Sequence, residues 1–201
     1  MYMVRDLLFI HIPKNAGCTI KRSLNLSKRD QKIHERMPAS GISKLLQQER
    51  YRHKFKFAFV RNPWSRHVSN YHFFRNMTEA HPFWRYDQKT SMEIKQYSNF
   101  DDFCTNFKNK YNKFHFQPQY LWTCDISGKV ILDYVGKVES IDTDMNMLCE
   151  LLNRPSVKLD KHNTSKHNAY QEYYTKQSTI DKVANMYSID IQTFNYNFSD
   201  K

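Results

Sequence analysis

The chain has 201 residues, and no apolar run approaches the roughly 18–20 that a helix needs to cross a bilayer. Its N-terminus, MYMVRDLLFIHIPK, lacks a basic region followed by a long apolar stretch, so it is not a secretory signal; a soluble, cytoplasmic protein is expected. Cysteine is sparse. Cys18, Cys104, Cys124 and Cys149 lie far apart with no CxxC pair, which argues against a zinc site and a disulfide framework. Cys104 and Cys149 fall in apolar helical patterns and read as small core residues. No solenoid period repeats and no linker-like stretch divides the chain, so residues 1–201 are expected to form one domain. Clustered carboxylates are also missing, and no metal is expected. Acidic residues are in deficit, 20 Asp+Glu against 31 Lys+Arg, for a net charge of +11. That excess implies an anionic partner, whether nucleic acid, nucleotide, acidic glycan or membrane surface, and charge alone does not choose among them. A hydrophobic content of 40% excludes a disordered chain.

What is present is an alternation of strand and helix signals. LLFIHI (7–12) is a short β-prone run ending at Pro13, followed by the small-residue turn KNAGCT and a helical pattern through Ile20, Leu24 and Leu26. A second unit begins at Phe55, with KFAFV the strand, RNP the turn and WSRHVSNYHFFRN the helix; Pro63 suits the first helical position, where its missing N–H costs nothing. SGISKLLQQER (40–50) suggests another helix. Residues 77–98 are aromatic, polar and irregular, and read as a surface loop or lid. Residues 99–110 are helical, with Phe100, Phe103, Cys104 and Phe107 on one face. VILDYV (130–135) is a third strand, entered through the Ser127-Gly128 turn, and the helix after it carries Met145, Leu148, Leu151 and Leu152 at core spacing. Residues 154–169 read as loop, and Tyr170 to Phe194 as mostly helical. The alternation predicts an α/β, P-loop-like three-layer fold with a central, mainly parallel sheet flanked by helices.

In such sheets ligands bind beyond the carboxyl ends of the strands. The first end is Pro13-Lys14-Asn15-Ala16-Gly17-Cys18-Thr19, where small residues let the backbone approach an anion, Lys14 adds a full charge and Thr19 a hydroxyl. This is the logic of a phosphate cradle without the Walker pattern, because the lysine precedes the glycine. The second end is RNPWSRHVSNY (61–71). Arg61 leaves the strand where its guanidinium can grip a phosphate bidentately, and Ser69 lies about two helical turns on. Two such turns on separate strands suggest a ligand with anionic groups at both ends.

FIHIPKNAGCTIKRSL followed by FAFVRNPWSRHVSNYHF resembles the sulfotransferases that use 3'-phosphoadenosine 5'-phosphosulfate (PAPS). The likeness is greatest to the carbohydrate branch that includes the chondroitin, dermatan and heparan 2-O-sulfotransferases and their bacterial relatives. GKVES (136–140) and KHNTSKHNAYQEYY (161–174) extend it downstream. The resemblance implies that Lys14, Asn15, Ala16, Gly17, Cys18 and Thr19 wrap the phosphosulfate, that Arg61 and Ser69 hold the 3'-phosphate, and that Asn163 and Ser165 join the cofactor site. Cys18 replaces a hydroxyl residue frequent in the family. Arg66 is read either as a cofactor contact or as a structural residue held by a buried carboxylate.

The implied reaction is in-line transfer of a sulfuryl group from PAPS to a hydroxyl of a carbohydrate or glycoconjugate, anionic acceptors included, without a metal. Lys14 would neutralise charge on the leaving phosphate. An imidazole suits the general base, and His34 resembles the family's base histidine, with Glu35 and His115 as rivals. His11 reads as a packing residue of the first strand, and His67 and His72 as partly exposed. His162 and His167 flank the Asn163/Ser165 loop and are candidates to help with cofactor or acceptor. His72, Phe73, Phe74, Phe83, Trp84 and Tyr86, beside Arg75 and Arg85, read either as a sugar platform or as a hydrophobic lobe. Gln117 and Gln119 are candidates for acceptor hydroxyls, and Glu139 for ordering the site. The alternatives are a P-loop-like kinase, a basic nucleic-acid-binding module and a non-catalytic nucleotide binder. No nucleic-acid motif is present, and the intact Lys14, Arg61 and Ser69 argue against the last. Acceptor identity and oligomeric state are left open.

Overall fold

The computed structural model describes residues 7–26, 46, 48–108, 113–159 and 168–200. In chain order the elements are β1 (Leu7–Ile10), α1 (Gly17–Ser23), the one-turn α2 (Glu49–Arg52), β2 (Phe55–Val60), α3 (Pro63–Arg75), α4 (Trp84–Lys95), α5 (Phe100–Asn106), the one-turn α6 (Tyr120–Thr123), β3 (Tyr134–Lys137), α7 (Ile141–Leu151), α8 (Gln177–Met186) and α9 (Ser188–Phe194). Short 3-10 turns lie at Phe114–Phe116 and Tyr170–Tyr173. They group into two compact units, each made of two stretches: 1–61 with 118–164, and 62–117 with 165–201. Among the described residues no helix is long and apolar enough to cross a membrane.

The first unit is α/β. Its three strands pair in parallel in the order β1-β2-β3, with Leu7 opposite Phe55 and Phe57 opposite Tyr134. Leu7, Phe9, Phe57 and Phe59 project to one face and pack with Ile20 and Leu24 of the first helical segment and with Met145, Leu148 and Cys149 of α7. The alternate residues Leu8, Ile10, Ala58 and Val60 are equally buried. A parallel sheet covered on both faces needs such unbroken apolar runs rather than alternation, which is why LLFI and FAFV are legible as strands. β3 starts four residues later than VILDYV suggests. Asp133 takes the Lys56 N–H on its carboxylate at 2.7 Å and gives its own N–H to the Lys56 carbonyl at 2.8 Å, so strand pairing begins at Tyr134. Val130 instead forms an isolated antiparallel bridge with Cys124. On α7 the buried stripe is Met145, Leu148 and Cys149, while Leu151 is exposed.

The second unit is helical. Asn62 caps α3 by accepting from the N–H groups of Trp64 and Ser65, and Pro63 follows at the first helical position. Val68, Tyr71 and Phe74 of α3 meet Phe100, Phe103, Cys104 and Phe107, together with Tyr174, Val183 and Tyr187, in one aromatic-rich core. The predicted helix with Phe100, Phe103, Cys104 and Phe107 on one face is therefore present. The expected loop over 77–98 is different: it contains the three-turn α4, which buries Thr90, Ser91 and Ile94. Two of those three inward residues are polar, and Ser91 satisfies its hydroxyl by donating to the Phe74 carbonyl at 2.7 Å, so the apolar helix pattern is masked. Of the helix expected over 40–50, only its last residues fall among those described, where α2 begins at Glu49.

Candidate functional site

Because the three strands are parallel, their carboxyl ends share one edge of the sheet, and the residues leaving that edge in the first unit are 11–16, Arg61 and 138–140. The segment after β1 is tightly wound. Lys14 and Ala16 both occupy the left-handed region, at φ 67° and 56°, with Asn15 between them at negative φ. Non-glycine residues enter that region at an energetic cost, and alternating φ sign turns successive N–H groups into an anion-binding concavity. Ala16 is also the residue before α1, whose first turn receives no side-chain cap. Gly17 is required by close approach: a Cβ there would sit 1.9 Å from His11 Nε2. His11 stacks on Phe9 with ring centroids 5.6 Å apart, which makes it the packing residue its place in the sequence suggests.

Lys14 is partly buried, and its ammonium is depressed to about 8, chiefly by desolvation and then by the nearby Arg61 charge, with Cys18 opposing. Arg61, one residue beyond β2, donates from its guanidinium to the Lys14 carbonyl at 3.2 Å. Two cations are thus held at one strand-end edge on a backbone wound to receive an anion. That donor set suits a ligand carrying phosphate and phosphosulfate groups, so Lys14, Asn15, Gly17 and Arg61 fit the expected cofactor. Cys18 is exposed and Thr19 partly buried, both on α1.

A residue expected to meet the acceptor turns out to frame this edge. Gln119 is fully buried. Its Oε1 accepts from the Arg61 N–H at 2.8 Å and from Asn15 Nδ2 at 2.7 Å, while its Nε2 donates to the Arg61 carbonyl at 2.7 Å. Asn15 Nδ2 also donates to the Phe59 carbonyl at 2.7 Å. The two main-chain groups of Arg61 fix which end of the Gln119 amide is oxygen, and that in turn fixes the Asn15 amide. Local sequence holds no signal for these contacts, since Gln119 is 58 residues from Arg61 and 104 from Asn15.

In the second unit Ser69 and Arg66 are both buried on α3. Arg66, read either as a cofactor contact or as a structural residue on a buried carboxylate, donates its guanidinium to the main-chain carbonyls of Gln117 at 2.9 Å and His115 at 3.0 Å, and the carboxylate of the fully buried Asp190 acts on its charge. Burial lowers its affinity for the proton, opposed by Tyr187 and Asp190. Gln117 is partly buried, and its carbonyl is engaged by Arg66. His67, expected to be partly exposed, is fully buried, with its ring against Phe100, Phe103, Phe116 and Tyr187; His72 is partly exposed, as expected, against Tyr173. The His115 ring lies on Phe73 and Phe74. Of the proposed sugar platform, Phe74 is core and Phe73 and Trp84 pack against it, whereas Phe83 and Tyr86 are half exposed, with Arg85 4.7 Å over the Tyr86 ring. Glu139 lies just past β3 and is partly buried. His34, Glu35, His162, Asn163, Ser165 and His167 lie outside the described residues.

No curated protein and no solved structure matches the chain significantly. A family model does: the one described as the sulfotransferase family matches residues 3–197. That span takes in both strand-end turns and almost the whole sequence, and the chain therefore belongs to the sulfotransferase family.

Proposed function

We propose that the protein transfers a sulfuryl group from PAPS to a hydroxyl of a carbohydrate or glycoconjugate acceptor. Sulfuryl transfer in general follows from the family; the donor, the acceptor class and the base are the proposal. The observation that carries it is the joined pair of turns in the first unit, where Lys14 and Arg61 stand together beside the left-handed loop at 14–16. PAPS, when bound, supplies the sulfuryl group and leaves as 3'-phosphoadenosine 5'-phosphate.

Lys14 keeps a positive charge where negative charge develops in an in-line displacement, and Gly17 leaves the backbone open to close approach. Arg61 grips the 3'-phosphate, and Ser69 is the residue of α3 that the same reading assigns to that phosphate. Asn163 and Ser165 complete the cofactor contacts on this reading. His34 takes the proton of the attacking hydroxyl, as a group titrating near neutrality can. The net charge of +11 favours an anionic acceptor.

The test is transfer of label from sulfur-radiolabelled PAPS to a panel of desulfated polysaccharides. Sulfate-ester formation on a polysaccharide is expected, with His34→Ala losing at least about a hundredfold in turnover while retaining affinity for 3'-phosphoadenosine 5'-phosphate. Donor binding with transfer only to non-carbohydrate acceptors would overturn the acceptor class. Undiminished turnover in His34→Ala would remove His34 from the mechanism.

A further inference from the structure

Gln119 makes three hydrogen bonds of 2.7–2.8 Å with a single buried amide, and all three go to the residues that carry the two anion-binding turns. Both main-chain groups of Arg61 are engaged, so the residue is held as if paired with another strand just where β2 ends. The third bond reaches Asn15, between the two left-handed residues of the first loop, and Asn15 passes the tether on to the Phe59 carbonyl. Asn15 is itself 1% exposed. A neutral amide at this position fastens the turns without adding charge to an edge that already holds Lys14 and Arg61. The Gln119 main chain is anchored too, its carbonyl accepting from Trp122 N–H at 2.9 Å as α6 begins.

We propose that Gln119 is a positioning and specificity-determining residue: it fixes the Lys14–Asn15 loop relative to the Arg61 backbone, so that a nucleotide with anionic groups at both ends is bound as one ligand. The proposal rests on the donor reading above. Its physical content is chelation. When two sites are rigidly spaced, the second contact of a bifunctional ligand is made at high effective concentration, and loosening the spacing loses that advantage while each single contact survives.

The experiment compares 3'-phosphoadenosine 5'-phosphate with its two halves, adenosine 5'-phosphate and adenosine 3'-phosphate. The proteins are wild type, Gln119→Met, Asn15→Ala and the double variant. Calorimetry follows the bisphosphate and ligand-observed NMR the monophosphates. Gln119→Met keeps the side-chain length and removes all three bonds; Asn15→Ala removes the Asn15 bonds to Gln119 and to the Phe59 carbonyl while leaving both Arg61 bonds, and carries the test if the methionine variant does not fold. The expected result is a loss of about tenfold or more in bisphosphate affinity in each single variant, with both monophosphate affinities changed by less than about threefold in Gln119→Met. Asn15 also belongs to the 5'-phosphate loop, so in Asn15→Ala adenosine 3'-phosphate is the control and its affinity changes by less than about threefold. The double variant should lose less than the sum of the two single losses, because the Asn15–Gln119 bond is common to both. A proportional fall in all three affinities would mean general loosening and would overturn the proposal, as would undiminished bisphosphate binding in the variants. Failure of the wild type to bind the bisphosphate would overturn the donor reading itself, a result distinct from either.

Discussion

Lys14 combines a left-handed backbone with burial and a second cation nearby, and the last two work against a charged ammonium in the folded state. Its ordinary value of 10.5 is lowered to about 8, by desolvation first and Arg61 second. Between pH 8 and 10.5 the unfolded chain therefore holds a proton that the folded chain has released, and stability from this group rises with pH across that window. At pH 7 the charged side chain is a net cost to the fold, of the kind functional sites carry. Lys14→Met is accordingly expected to raise Tm by about 2–4 °C at pH 7, with the gain fading towards pH 10.5 and turnover lost throughout; differential scanning calorimetry across pH reads the effect. The same proton links to the ligand. A bound anion restores the ammonium, so affinity for 3'-phosphoadenosine 5'-phosphate should be greatest below pH 8 and fall above it, with proton uptake visible as a binding enthalpy that changes with the buffer. A dissociation constant flat from pH 7 to 9.5 would show that Lys14 does not face the ligand.

Among the elements, the strand-to-helix corner at β1 and α1 depends on a missing side chain. The Cβ of an alanine at 17 would lie 1.9 Å from His11 Nε2, and the imidazole is backed by Phe9, so the ring has little room to retreat. Gly17→Ala is expected to destabilise the protein by about 1–3 kcal/mol, and His11→Ala in the same chain to recover most of that loss in a denaturant melt. An unchanged midpoint for Gly17→Ala would show that the corner is looser than described. The corner itself was legible in the sequence, because an unbroken apolar run, a small-residue turn and a helical pattern each leave a local trace. So was α3, announced by Pro63 at its first position. α4 was hidden because its buried face uses Thr90 and Ser91, the latter donating to the Phe74 carbonyl, and polar residues do not register as an apolar stripe. The start of β3 differs from the sequence reading because it is set by the pairing of Asp133 with Lys56 of β2, 77 residues away.

For the molecule as a whole, the same distinction separates what the candidate site reveals locally from what it does not. Lys14, Gly17 and Arg61 stand at strand ends that the sequence marks, and the structure brings Lys14 and Arg61 into contact. The Gln119 network was invisible, since it joins residues up to 104 positions apart and Gln119 reads locally as one more polar side chain. Arg66 is ambiguous in the sequence because its partners, the carbonyls of residues 115 and 117 and the buried Asp190 carboxylate, all lie far along the chain. The proposal of an anionic nucleotide donor rests on the charge of +11, the sulfotransferase family and the two joined turns. The most direct test of that central claim is calorimetric binding of 3'-phosphoadenosine 5'-phosphate to wild type and Arg61→Ala, with ATP–magnesium as the control. Selective, micromolar-range binding to the wild type is expected, weakened about a hundredfold or more in Arg61→Ala, as loss of a charged hydrogen-bonding partner implies. No binding, or equal binding of both nucleotides, would contradict it.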